Sequence, residues 1–286
     1  MQFKAVNAFL THLEGLIRLW EVPIEPRLKR AVVMAWSRLF VARSGQQGRI
    51  SLMGLQVSFL SLGNLRYLFK EIFLRQQYFF KADTSSPFIV DCGSNIGLSV
   101  LYFRLLYPDC TVRAFEANPE VYACLESNVS NNRLANIELH NQALANLAGS
   151  IDLYTDTRDP GSLISSLKPE RLSGRNRDYR VQQVEAVLLS DQIDREVDFL
   201  KLDIEGCETE IIVELASADK LGWIKQMVIE YHHHLTADED QLSRLLMCLE
   251  TNGFGYQIQA QCDAPERAGQ EQDLLIFAYR KNRARG

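Results

Sequence analysis

The sequence has no charge-free apolar run approaching the roughly 20 residues that a membrane-spanning helix needs, so no membrane partner is expected. Near the start, Lys4, His12, Glu14 and Arg18 interrupt any signal-peptide core, and a cytoplasmic protein is the simplest expectation. Paired cysteines are missing too. The six cysteines (Cys92, Cys110, Cys124, Cys207, Cys248 and Cys262) form no C-x-x-C pair, which speaks against a disulfide framework and a zinc site. An excess of positive charge is also lacking: 31 Lys and Arg stand against 36 Asp and Glu, for a net −5. A protein that neutralises phosphates needs a basic surface, so no nucleic-acid partner is expected, although Arg171 to Arg180 holds a local group of four arginines. Repeats and low-complexity tracts are absent. What is present is ordinary globular material, 47% hydrophobic and 23% charged over 286 residues, enough for one large domain and an accessory segment.

Along the chain, Phe3, Val6, Leu10, Leu13, Ile17 and Trp20 recur at helical spacing until Pro23 and Pro26 break the pattern, so residues 1–45 read as packing helices. Alternation of Ile50, Leu52, Leu55, Val57 and Phe59 around Met53-Gly54 predicts a hairpin. Leu65 to Phe80 returns to a helical pattern, and Ala82 to Pro87 is a turn-rich boundary between a segment 1–85 and a domain 86–286. The aromatic helices of the first segment need cover, from their own core or from a second copy in a homodimer.

From Phe88 onward, short apolar runs alternate with amphipathic stretches. Strands are expected at Phe88–Cys92, Thr111–Glu116, Ile137–Asn141, Asp198–Ile204, Gln226–Tyr231, Tyr256–Gln261 and Asp273–Tyr279. Helices are expected near 96–107, 119–131, 207–217 and 238–252. This is an α/β doubly wound sheet of seven strands. Between the last two strands there is only Cys262 to Gln272, with no helix, so their pairing should be antiparallel. Two further strand-like runs, Ser150–Tyr154 and Val181–Val187, bracket Thr155 to Arg180, too long for an ordinary connection and expected to be a lid or substrate loop.

The chemistry concentrates at strand ends. Asp91 ends a strand, and Gly93 and Gly97 turn the chain into a helix. Glycine permits positive φ and close backbone approach, and a helix N-terminus offers N–H groups to a carboxylate. Asp91 beside it suits an ammonium, so a ligand carrying both groups fits. Asn95 stands where G-x-G-x-x-G would place its second glycine, and no Gly-Lys-Ser/Thr follows, which excludes the dinucleotide and triphosphate fingerprints. Glu116, about 20 residues beyond the turn, can accept both hydroxyls of a ribose. An empty strand–turn–helix and a simple helix-end charge are the bland readings of these two features.

These residues resemble the FkbM family of methyltransferases. The resemblance is carried by Phe88-Ile89-Val90-Asp91-Cys92-Gly93-Ser94-Asn95-Ile96-Gly97, which is similar to the family's D-x-G-x-N-x-G motif, and by Phe115-Glu116-Ala117-Asn118-Pro119. It continues through Val187 to Ile193, Phe199-Leu200-Lys201-Leu202-Asp203-Ile204-Glu205-Gly206 and Val228-Ile229-Glu230-Tyr231-His232, covering about 88–280. Glu71-Ile72-Phe73 and Tyr78-Phe79-Phe80 resemble the segment leading into the family core. Cys92 departs from the pattern, which often has a small residue there. The resemblance implies a Rossmann-like class I methyltransferase sheet, S-adenosylmethionine as methyl donor and a small-molecule hydroxyl acceptor on a sugar, polyketide or other metabolite. The cofactor-binding candidates are Asp91, Gly93, Ser94, Asn95, Gly97, Glu116, Ala117, Asn118, Gln142, Asp203, Glu71 and Tyr78.

Lys201, Asp203 and Glu205 alternate along one strand and should share a face, as should Glu230 and His232 on the next. Asp203, His232, Glu230 and Lys201 are therefore the catalytic candidates, with His232 or Asp203 as the base. A second, less favoured reading has Asp203, Glu205, Glu230 and His232 hold Mg²⁺ or a similar divalent metal. Lys201 pairing with an acid, and Glu205-Gly206 starting a helix, are the structural alternatives. Strand alternation should send His233 and His234 apart, as ordinary loop residues. Two other classes stand beside the methyltransferase: a nicotinamide-dependent oxidoreductase, at odds with the missing glycine, and a non-catalytic binding module, which has no need of acids at the strand ends.

Overall fold

The computed structural model describes residues 15–42, 47–159, 161–173, 178–235, 240–260 and 271–281. Residues 15–21 are helical, and Pro26 opens α1 (Pro26–Val41) at the position where its missing N–H costs nothing. Strands β1 (Gly48–Leu52) and β2 (Leu55–Phe59) form the expected antiparallel hairpin. Met53 and Gly54, at φ 53° and 83°, supply the left-handed pair that a two-residue hairpin turn needs. Ser61 caps α2 (Leu62–Phe69) through the amide of Asn64, and the helix widens into a π-turn over Lys70–Leu74. The helical pattern read to Phe80 stops here: Gln76 takes φ 58°, and its side-chain amide donates to the carbonyl of Phe73.

The main sheet contains β3 (Phe88–Cys92), β4 (Thr111–Phe115), β5 (Ile137–His140), β10 (Val197–Leu202), β11 (Ile224–His233), β12 (Phe254–Ala260) and β13 (Gln272–Arg280). Their order is β12-β13-β11-β10-β3-β4-β5. Strands β5, β4, β3, β10 and β11 run parallel, and β13 runs antiparallel to both of its neighbours. This is the class I methyltransferase sheet expected from the sequence. Every residue of β3 and β10 is buried, as central parallel strands covered on both faces must be.

Alternate side chains enter two separate cores. Ile89, Val112, Phe199 and Val228 pack with α3 (Leu98–Leu106) and α4 (Pro119–Asn131). Phe88, Val90, Leu200 and Ile229 pack with α5 (Glu208–Ser217) and α6 (Leu242–Thr251). The N-terminal elements join the first core through an aromatic run. Trp36 stacks on Phe69 and Phe69 on Phe73, with centroids 6.1 and 4.7 Å apart, and Phe73 meets the edge of Tyr102 at 5.3 Å.

Strands β6 (Ala143–Leu144), β7 (Gly149–Asp156), β8 (Ser165–Ser166) and β9 (Tyr179–Val187) form a second sheet, in the order β6-β9-β7-β8. The two extra runs of the sequence are thus the hairpin β7/β9, and the long connection carries β8 and a helical turn at Glu170–Ser173. Of the four arginines there, Arg171 is buried among acids and Arg180 pairs with Glu120, so neither extends a basic surface. Cys92, Cys110, Cys124, Cys207 and Cys248 are free thiols. Among the described residues no helix is long and apolar enough to cross a membrane.

One buried amide joins the hairpin to the sheet domain. Asn128 accepts from the Ser58 amide at 2.6 Å and donates to the carbonyls of Ser58 and Ile96 at 3.0 and 2.7 Å. Asn128→Ala strands all three backbone groups, and about 2–4 kcal/mol of stability should be lost, read as a lower denaturation midpoint. An unchanged midpoint would show that the hairpin does not depend on this bridge.

Candidate active site

Past Cys92 the chain makes three left-handed steps, at Gly93 (φ 80°), Asn95 (φ 49°) and Gly97 (φ 85°), before α3 begins. The amides of Gly93 and Ser94 both donate to the carbonyl of Phe115, and the Asn95 amide donates to Glu116. These donors therefore clamp the turn onto the end of β4 rather than offering themselves to a ligand carboxylate, as the sequence had suggested. Leu98 and Ser99, one step later, line the cavity with Gly93, Ser94 and Asn95.

Asp91 is fully buried beneath the turn and does not reach the cavity wall. It accepts from the Ser99 hydroxyl, and one oxygen stands 3.7 Å from the Lys201 ammonium. Burial raises its carboxyl above the ordinary range, partly offset by Lys201. The pairing follows from register, because Asp91 and Lys201 face each other across β3 and β10. Lys201 in turn donates to the carbonyls of Cys92 and Gly93 and stands 3.2 Å from Asp203. Burial opposes its charge, but Asp203 and Asp91 outweigh it and raise the ammonium further. It is a fixed internal cation and not a free catalytic amine.

Glu116, expected from the sequence to accept a ribose, stands on the cavity wall. Its two carboxylate oxygens accept one backbone amide each, from Asn95 and Asn118 at 2.9 Å, and keep further lone pairs toward the cavity. Ala117 and Gln142 also line the wall, with Phe115, Ala143, Leu144 and Leu153 as apolar cover for a flat ring. Asn118 is buried away from it, capping α4 through the Glu120 amide and donating to Ser165. Gly97 is likewise structural, since a Cβ there would lie 2.5 Å from Leu125. Burial pushes the Glu116 carboxyl up to about 7 against the pull of its two amides. Only the ionised form accepts from both hydroxyls, so affinity for S-adenosylhomocysteine should be flat well above pH 7 and fall by up to about tenfold per unit below it. Titration calorimetry across pH checks this, and the slope should vanish in Glu116→Gln.

The cavity, about 320 Å³, continues between the π-turn, the β8 region and the ends of β10 and β11. Glu71 and Tyr78 are on its wall, as are Asn64, Tyr67, Asp159 and Arg171, none of which the sequence placed in the site. Glu71 is already held by Lys70, Arg75 and Gln77.

At the far end β10 stops at Leu202, and Asp203 to Glu205 form a turn in which Glu205 takes φ 61°. Strand alternation therefore does not govern these acids, yet they still converge. Glu205 reaches back to Arg171 at 2.6 Å, and Arg171 also pairs with Glu271 and Asp273. Glu230 lines the cavity near them, its side chain making no hydrogen bond or ion pair among the described residues. Burial, and then repulsion from Asp203, raises its carboxyl well above the ordinary value.

His232 lies behind Asp203 and Glu205 and does not line this cavity; it borders a separate recess with Lys168, Thr209 and Tyr231. Its Nδ1 is 2.9 Å from Glu208, and its Nε2 is 3.4 Å from Glu205 and 3.9 Å from Asp203. Burial pulls the imidazole down, but Glu205 and Glu208 push it up to about 10. His233 and His234, expected to diverge, both meet Asp240 at 3.1 Å, because His234 takes φ 58° and breaks the alternation.

The model of the methyltransferase FkbM domain matches residues 91–258, from the glycine turn through most of β12. Methyltransferase sdnD of Sordaria araneosa is 30% identical over 196 residues, spanning 58% of this chain and 74% of that protein. The 31-O-demethyl-FK506 methyltransferase FkbM of Streptomyces tacrolimicus is 28% identical over 236 residues, spanning 70% of this chain and 86% of that protein. A solved structure of methyltransferase FkbM from Methylobacillus flagellatus KT has a TM-score of 0.47 at 18% identity, over 72% of this chain and 46% of that one. With a family match over more than half its length and the glycine turn, Glu116 and Asp203 on one cavity, the chain belongs to the FkbM family of S-adenosylmethionine-dependent methyltransferases.

Proposed function

We propose that this methyltransferase acts on a hydroxyl group of a small metabolite, such as a sugar or a polyketide or peptide natural product, with Glu230 as the proton acceptor. The observation that carries this reading is the position of Glu230 on the cavity wall with Asp203, its carboxyl group making no ion pair among the described residues. When bound, S-adenosylmethionine supplies a methyl group on a positively charged sulfur and leaves as a neutral thioether. The residues suit it: Glu116 offers acceptors for a diol, the apolar side chains near Leu144 and Leu153 cover a flat ring, and Asp203 and Glu230 favour a cation.

The chain then has two tasks at the acceptor. Asp203, paired with Lys201 at 3.2 Å, fixes the electrostatics around the reacting carbon. Glu230 accepts the hydroxyl proton as the new C–O bond forms, which leaves the methylated product neutral at that oxygen. Aligning acceptor and donor is the larger part of the task, and the walls from the π-turn and the β8 region supply it. The name of the Streptomyces relative, 31-O-demethyl-FK506 methyltransferase, describes transfer to an oxygen, which supports the same acceptor chemistry here.

The test uses S-adenosylmethionine labelled with ¹³C in its methyl group and a panel of sugars, macrolactones and amines. Label on oxygen, seen by NMR of the product, is the expected result; label confined to nitrogen overturns the reading. Calorimetry should show binding of S-adenosylhomocysteine and none of NAD.

A further inference from the structure

We propose that Asp203, Glu205 and His232 form a site for one divalent cation of the Mg²⁺/Mn²⁺ class, with Glu208 orienting the imidazole behind it. One ligand atom from each of the three lies within 4.8 Å of the others. The His232 side chain is 1% exposed, and its Nε2 makes no hydrogen bond although it is aimed between two carboxylates. A ring nitrogen buried without a partner is costly, so the arrangement needs something to fill the gap.

The other face of the ring explains why that nitrogen is available. Glu208 is itself 1% exposed and sits 2.9 Å from Nδ1. A carboxylate acceptor there holds a ring N–H on Nδ1 and directs Nε2 toward Asp203 and Glu205, where a bound cation takes the place of the Nε2 proton. Carboxylate–histidine–metal order of this kind is the usual support for a ligating histidine. Glu208 also accepts from the Gly206 amide at 2.8 Å, so its own position is determined.

Distances and charge agree. Ligand bonds of about 2.1 Å at right angles put neighbouring ligand atoms about 3 Å apart. The separations from Nε2, 3.4 Å to Glu205 and 3.9 Å to Asp203, close to that value with side-chain motion of under about 1 Å. Glu205 adopts φ 61°, a conformation unusual for a residue other than glycine, and this turns its carboxylate back toward His232. Arg171 occupies one lone pair of the nearest Glu205 oxygen, and Lys201 stands nearer the other oxygen of Asp203, so one lone pair on each acid stays available. Arg171, Lys201 and a protonated His232 are three cations against the five carboxyl groups of Asp203, Glu205, Glu208, Glu230 and Asp273, and a divalent ion in place of the Nε2 proton reduces the excess. Two carboxylates and one imidazole suit Mn²⁺ or Mg²⁺, which keep open positions for water. On the O-methylation reading, on which this one consequence rests, an ion held there would be presented to acceptor oxygens through Asp203 and Glu205, which line the cavity.

Mn²⁺ titrated into the full-length protein with S-adenosylhomocysteine present, followed by loss of the free-ion EPR signal, tests the site without any acceptor. One Mn²⁺ per chain is expected. Glu205→Gln and His232→Gln should each weaken it at least tenfold, and Glu208→Gln by about 10- to 100-fold, while S-adenosylhomocysteine affinity, which reports intact folding, changes little. Wild-type protein that leaves the signal unchanged, or variants that bind as the wild type does, overturns the proposal. So does binding that is lost in His234→Ala and kept in Glu205→Gln, because the ion then belongs to His233, His234 and Asp240. Failure of methyl transfer with Mn²⁺ binding intact would count against the function and leave this site standing.

Discussion

Gly93→Ala should abolish binding of S-adenosylhomocysteine, a loss of more than about 100-fold, and lower the melting temperature as well. The left-handed φ of 80° alone costs an alanine only about 1–2 kcal/mol. The greater obstacle is steric. A Cβ on Gly93 would lie 1.8 Å from the carbonyl oxygen of Asp203 and 3.0 Å from its carbonyl carbon. Both are backbone atoms, so no rotamer change relieves the contact, and the ends of β3 and β10 must separate. That separation also disturbs the Lys201 ammonium, which is bonded to the Cys92 and Gly93 carbonyls. Calorimetry with S-adenosylhomocysteine, beside a thermal melt, reads both effects. Wild-type affinity in this variant would mean that the turn can open without loss of the cofactor site.

The second large effect is expected at Glu230. Glu230→Gln keeps the size of the side chain and its capacity to hydrogen-bond a hydroxyl, but removes its ability to take a proton. Turnover should fall by about 10²–10⁴-fold, the usual contribution of a positioned general base. Affinity for S-adenosylhomocysteine should stay within a few-fold, because Glu116 and the glycine turn are untouched. A fall in kcat with little change in KM for the acceptor separates proton transfer from binding. If turnover is unchanged, Glu230 is not the acceptor of the proton, and Asp203 is the next residue to test.

The sheet was legible because its strands are short apolar runs buried on both faces. Phe88–Cys92 appears in the structure with the bounds read from the sequence, and Asn118-Pro119 marks the start of α4 by capping and by proline at the first turn. The antiparallel end followed from the short polar connection read between the last two strands. The active-site end was legible only in part. Asp203, Glu205 and Glu230 were found from their place at strand ends, but period-2 alternation was the wrong rule beyond Leu202, where Glu205 and Gly206 turn the chain at φ 61° and 122°. Arg171 gave no local signal, since its partners Glu205 and Asp273 are 34 and 102 residues away. The inward aim of His232 depends on Glu208, 24 residues off and on a different element. Periodicity carries information about one element at a time, and these contacts lie between elements.

The register of β3 against β10 has a consequence for how the protein is made. Cys92 and Lys201 are bonded across 109 residues, and Phe88 and Asp198 across 110. The glycine turn is therefore synthesised long before the strand that locks it. A growing chain that has passed Glu116 already contains the glycine turn and β4, but the central strand still has one edge unpaired. Loop closure over such a distance is slow, and an open apolar strand edge invites association with other chains in the interval. Cofactor binding should accordingly appear late in synthesis, only after β10 has left the ribosome.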